Sequence, residues 1–200
     1  MKVNNVFKTA AFLLLMSGTM ALNAQKSGSD EFKGIAKGNG LIGILPGASF
    51  NDDGNGTSNF RISNTLTGGY FIKDNLMLGL SLGQTYSQQK VNANTSTNLT
   101  MNNGICLRYY KFFTNRFGFF LNNSVGMSYF SNSSINGVGG YIDVSPNFVY
   151  KAGKCLMLEA GVGGLNATYM HNSQGNNTMN ANFTFINNFR FGVSWKLGNK

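Results

Sequence analysis

Over long stretches of the chain, apolar residues recur at every second position. A period of two is the mark of a strand whose two faces meet different surroundings. The clearest run begins at Asn75: Leu76, Leu78, Leu80 and Leu82 fall on one face, and Met77, Gly79, Ser81 and Gly83 on the other. The last run places Phe183, Phe185, Phe189, Phe191, Val193, Trp195 and Leu197 on one face, interrupted only by Asn187. Its opposite face holds Thr184, Asn188, Arg190, Gly192, Ser194 and Lys196. A third run sets Leu156, Leu158, Ala160 and Val162 against Cys155, Met157, Glu159, Gly161 and Gly163. The pattern predicts eight strands, near 38–49, 58–72, 75–88, 97–113, 116–130, 137–150, 154–169 and 181–197.

The links between them are expected to alternate in length. Lys73-Asp74-Asn75, Thr114-Asn115 and Lys151-Ala152-Gly153 read as tight turns. Residues 51–57, 89–96, 131–136 and 170–180 read as longer polar loops. Short turns at one end and longer loops at the other belong to transmembrane barrels, and an even strand count puts both termini at the short-turn end, the periplasmic one. The expectation is therefore all-β: an eight-stranded antiparallel up-and-down transmembrane β-barrel over 38–200. Leu, Phe and Val would face lipid, and Gly, Ser, Thr and Asn would fill a narrow interior. Aromatics near strand ends, among them Tyr70-Phe71, Tyr109-Tyr110, Phe112-Phe113, Phe117, Phe119-Phe120, Tyr129-Phe130, Tyr150 and Trp195, are expected to form two interfacial girdles. A soluble periplasmic lipocalin-like binder would also alternate, with its apolar face turned inward.

The amino terminus carries an export signal. Lys2 and Lys8 give a positive start, Ala10 to Met16 a short apolar core, and small residues follow. Residues 1–24 are expected to be removed, with cleavage after Ala21 or Ala24, leaving 25–37 as a short lead. Composition agrees with many strands joined by turns: charged residues make up 12% of the chain, against a usual share of roughly 25% in soluble proteins, with 26 Gly and 2 Pro. Removing Lys2 and Lys8 lowers the formal charge from +9 to +7. The cations are scattered with no run of three, which argues against nucleic acid and fits an anionic lipid or lipopolysaccharide surface better.

The segment Gly69-Tyr70-Phe71-Ile72-Lys73-Asp74-Asn75-Leu76-Met77-Leu78-Gly79-Leu80 resembles the second hairpin of small outer-membrane β-barrel proteins of the Bacteroidota, an OmpA/OmpX-like architecture. Arg108-Tyr109-Tyr110 with the strand Phe117 to Tyr129 resembles the next hairpin, and Phe191 to Leu197 a closing strand. The resemblance spans roughly 33–200. It implies outer-membrane location and insertion by the barrel-assembly machinery, and says almost nothing of activity. The chain departs from the pattern at Gly198-Asn199-Lys200, where no aromatic residue closes it.

Candidate chemistry is sparse. Only Asp143 and Glu159, of seven acidic residues, fall in predicted strands. Glu159 is expected inside the barrel with Arg61, Arg108 and Arg190, a polar cluster read as a structural plug because a buried charge without a partner is costly. His171, beside Asn172 and Ser173 in the longest predicted loop, invites a hydrolase reading, but no acidic residue lies near it in sequence. Asp52 and Asp53 read as turn residues rather than calcium ligands. Gly38-Asn39-Gly40 lacks the helix a phosphate loop needs. Cys106 and Cys155 either pair or pack singly. No catalytic residue, metal site or cofactor is expected, and no oligomeric state is read. The leading function is a non-enzymatic outer-membrane barrel with an envelope-structural or surface-interaction role. The alternatives are a barrel-embedded hydrolase of lipid or lipopolysaccharide and a narrow channel for small solutes.

Overall fold

In the computed structural model, residues 34–198 are described, apart from 53–55, 93 and 133. The predicted signal peptide and most of the lead lie outside the described residues. The eight strands are β1 Gly40–Asp52, β2 Thr57–Lys73, β3 Leu76–Val91, β4 Asn94–Phe112, β5 Phe117–Asn132, β6 Asn136–Lys151, β7 Leu156–Asn172 and β8 Asn177–Leu197. Each pairs antiparallel with its sequence neighbours, and β1 pairs with β8, so the sheet closes into a barrel. The closing ladder pairs Gly40–Ile44 of β1 with Val193–Leu197 of β8, so neither strand is left as a wholly open edge. Gly40 lies opposite Leu197, which puts the start of β1 and the end of β8 at the same end of the barrel.

Alternation sorts the side chains as the periodicity predicts. On β3, Met77 and Ser81 are buried inside, while Leu78, Leu80 and Leu82 are 45%, 61% and 49% exposed outside. β7 departs from a single alternation. Against β6 it carries one extra residue near Gly163, whose φ is +116°, a bulge that a side chain would resist. Inward positions therefore pass from Met157, Glu159 and Gly161 to Gly164 and Asn166, and Leu165 turns outward. On β8, Phe183, Phe191, Trp195 and Leu197 face outward as expected. The side chains of Phe185, Asn187 and Phe189 lie outside the described residues.

Two expectations need correction. The connections are uniformly short, because the ladders run on through segments predicted as loops. Only 173–176 separates β7 from β8, and only 92–93 separates β3 from β4. Gln, Thr and Asn at the far ends of the strands are polar but extended, and each added pair satisfies two more backbone groups. His171 thus lies on β7 rather than in a loop. Second, the aromatic doublets do not all belong to girdles. Neighbours on a strand point to opposite faces, so Phe71, Tyr110, Phe112 and Phe120 are buried inside while Tyr70 and Phe113 face out.

The inward aromatics, with Ile35, Leu41, Met77, Val149 and Met157, form an apolar core at the terminus end, where β1 begins and β8 ends. Tyr110 sits at its centre, its ring 4.8 Å from Phe120 and 5.6 Å from Phe71. The chain before β1 completes this core. Ile35 inserts into it, held by its N–H donating to Asn75 Oδ1 at 2.8 Å and its carbonyl accepting from Asn75 N at 2.9 Å. Asn75 itself has φ +61°, a left-handed turn conformation that Asn tolerates.

Candidate functional site

The interior has three layers: the apolar core just described, a charged middle, and an open polar cup. The middle layer centres on Arg108 of β4 and Glu159 of β7. Their side chains are 4% and 3% exposed, with Arg108 Nη1 lying 3.3 Å from Glu159 Oε2. Arg108 also donates through Nε to Asn122 Oδ1 at 3.0 Å and through Nη2 to Thr67 Oγ1 at 2.9 Å. Its guanidinium stands 4.9 Å from the centre of the Phe120 ring. One cation thus ties together β2, β4, β5 and β7.

Above this layer lies a cavity of about 520 Å³, with Arg108 on its lining and contributions from all eight strands. Arg61, Arg190 and Asp143 carry its other charges, and Asn102, Asn166 and Asn182 supply amides. Of the four residues expected to cluster, Arg108 and Glu159 meet. Arg61 and Arg190 line the cup and make no ion pair within 4.0 Å with Glu159. The geometric reason is height along the strands. Glu159 pairs with Val149 and Gly192 near the terminus end, whereas Arg61 pairs with Ser49 and Ser87 far up β2.

Asp143, left out of the expected cluster, faces the cup. It accepts a hydrogen bond from Ser145 Oγ at 3.0 Å, with Asn166, Asn122 and Arg190 around it. The signal was present on β6, where Tyr141, Asp143, Ser145 and Asn147 alternate with Ile142, Val144, Pro146 and Phe148. Arg190 gains its place from glycines. A Cβ at Gly47 would stand 3.1 Å from Arg190 Cγ, and one at Gly161 would stand 3.4 Å from its Nε.

The remaining candidates stay apart. His171 Nδ1 lies 2.9 Å from Asn177 Oδ1, while Ser173 Oγ accepts from Asn136 N at 3.4 Å, so the two are engaged with different partners. Cys106 is buried in the core and Cys155 is exposed in the β6–β7 connection; both are free thiols. Asp52 ends β1, and Asp53 lies outside the described residues. Among the described residues no three His, Cys, Asp or Glu side chains gather closely enough to hold a metal ion.

Outside, the sheet is sheathed in apolar side chains. Phe60 and Tyr70 mark the two ends of this belt on β2, ten residues apart. That separation is about 34 Å along a strand, or about 26 Å in height at a tilt of roughly 40°. Lys111, level with Phe119, puts a cation in the lower row itself; above that row and up to the upper one no described outward-facing residue is charged, and Asn64, Gln84, Asn103 and Asn123 are the polar members. Around the lower row Phe117 stacks on Phe148 at 5.9 Å and Phe113 on Phe119 at 5.8 Å.

Sheet and lumen together define a closed barrel with an apolar exterior and an interior that is packed below and open as a polar cup above. No family model and no curated protein matches the chain. Solved structures similar to it include Neisserial surface protein A, at 13% identity and a TM-score of 0.47, covering 80% of this chain and 96% of that one. The outer membrane protein OprG from Pseudomonas aeruginosa is similar at 15% identity and a TM-score of 0.49, covering 84% and 100%. The Yersinia pestis outer membrane protein Ail gives 7%, 0.40, 80% and 100%. The barrel assignment rests on the ladder pairing described above rather than on these likenesses.

Proposed function

We propose that this chain is a non-enzymatic outer-membrane β-barrel protein with an envelope-structural or surface-interaction role. The observation that carries the proposal is the uncharged apolar belt, about 26 Å high between aromatic rows. It matches the hydrocarbon thickness of an outer membrane, and no soluble barrel gains from such an exterior. The export signal at residues 1–24 supplies the route, and outer-membrane lipid and lipopolysaccharide the surroundings. Insertion falls to the barrel-assembly machinery. Both termini then lie in the periplasm, with the β2–β3, β4–β5 and β6–β7 turns, and the polar strand ends project outside. Arg108 and Glu159, with the aromatic core beneath, close the lumen, so the barrel does not conduct. They serve structure, not catalysis.

The test is fractionation of the native host with heat-modifiability on a gel. Recovery in the outer membrane, with a mobility shift on boiling and no conductance in planar bilayers, is the expected result. Release with the periplasmic contents overturns the membrane reading, and stable single-channel steps overturn the closed lumen.

A further inference from the structure

Resting on the membrane reading above, we infer that the polar cup in the upper lumen is a binding site for a small hydroxylated carboxylate arriving from outside. Three observations carry this. The cup is large for an eight-stranded barrel, whose interior is ordinarily filled by side chains; at about 520 Å³ it has room for a sugar-sized molecule. It is also blind, because the Arg108–Glu159 pair and the aromatic core lie between it and the terminus end.

The charges facing it are unbalanced. Arg108 is committed to Glu159, Asn122 and Thr67. Asp143 is satisfied by Ser145 and flanked by Arg190. Arg61 remains, inward-facing between Ser49 and Ser87, with no hydrogen bond or ion pair to any described residue. Arg61 stands near the mouth and Arg190 deeper, in the space that Gly47 and Gly161 leave. Guanidinium groups at two depths suit a carboxylate, which they bind by charge-assisted, often bidentate hydrogen bonds. The rest of the lining gives the ligand its second property. Asn182 offers an amide and Ser49, Thr65 and Thr85 offer hydroxyls, while Asn102, whose Oδ1 accepts from Ser128 Oγ, and Asn166, whose Nδ2 donates to Ile142 O, each keep an N–H or a lone pair for a ligand. Such a wall pairs with hydroxyl groups. Aliphatic or aromatic anions would leave those groups without partners, at a cost.

The experiment is calorimetric titration of the refolded mature protein in detergent, with glucuronate as probe and glucose and lysine as comparators. Folding is verified in each sample by the boiling shift. The expected result is saturable one-to-one binding of glucuronate, at least about tenfold tighter than glucose, with none of lysine. Arg61→Gln and Arg190→Gln should each weaken it about tenfold, while the outward-facing Lys111→Gln leaves it unchanged. Folded protein that takes up glucuronate no better than glucose overturns the inference and leaves the barrel standing. Equal loss in Lys111→Gln and Arg61→Gln also overturns it, since net charge alone would then explain the binding. Absence of a boiling shift in the wild-type protein removes the barrel reading and the cup with it.

Discussion

Replacing Glu159 by Leu isolates the charged layer that closes the lumen. At 3.3 Å and an effective dielectric of about 20, the gross attraction between the two charges is about 5 kcal/mol. Desolvation of both groups offsets most of it, so the pair as such adds little net stability. The damage comes from leaving one charge alone: removing a single partner of a buried pair costs roughly 3–5 kcal/mol. Arg108 keeps its bonds to Asn122 and Thr67 and its position over Phe120. That retained set places Glu159→Leu near the lower bound, at about 3 kcal/mol. Arg108→Met should cost more, because among the described residues every hydrogen bond that Glu159 accepts comes from Arg108. The double variant, with neither charge, should be less destabilised than the sum of the singles by at least about 2 kcal/mol. Urea unfolding in lipid vesicles, followed by the single tryptophan, Trp195, measures all four proteins. Additive effects, or single variants within about 0.5 kcal/mol of wild type, would refute the view that this pair is desolvated and coupled.

Further outcomes follow from the same geometry. Leu80→Arg, on the outer face in the middle of the belt, should destabilise the protein in vesicles by about 2–4 kcal/mol, and Phe60→Arg at the belt's rim by no more than about 1 kcal/mol; equal effects would contradict the depth assigned to these positions. Cys155 should react with a membrane-impermeant maleimide only after the outer membrane is permeabilised, and Cys106 only after unfolding; labelling of Cys155 on intact cells would reverse the proposed orientation. Ile35→Asp, which puts a carboxylate into the apolar core at the terminus end, should cost at least about 3 kcal/mol by the same urea assay, and a neutral result would show that the segment before β1 does not seal the barrel.

Much of the architecture is legible in the chain because burial alternates with the pleat. Leu76 to Leu82 announce an outward face without any knowledge of neighbours. The reversal on β7 is also written there: apolar residues hold even positions through Val162 and odd positions from Leu165, with Gly163-Gly164 between. A reading that extends one parity along the whole strand passes over it. Aromatic doublets mislead for a related reason. Composition places Tyr109-Tyr110 at a membrane interface, but adjacent residues cannot share a face, and the inner member builds the core instead. The strand ends are less legible, since Asn, Thr and Gln serve turns and solvated ladders alike. The cup is the least legible feature of all. Arg61, Asp143 and Arg190 come from three strands, and only the closed register shows which of them stand at one height.

Quenching of Trp195 fluorescence by brominated lipids tests the central claim most directly. Trp195 is the only tryptophan of the chain and faces outward in the lower aromatic row, 45% exposed. In vesicles it should be quenched strongly by lipids brominated near the headgroup end of the acyl chain, and weakly by those brominated near the bilayer centre. Emission untouched by either lipid, or quenched as readily by an aqueous quencher, would mean that the apolar belt does not face a membrane.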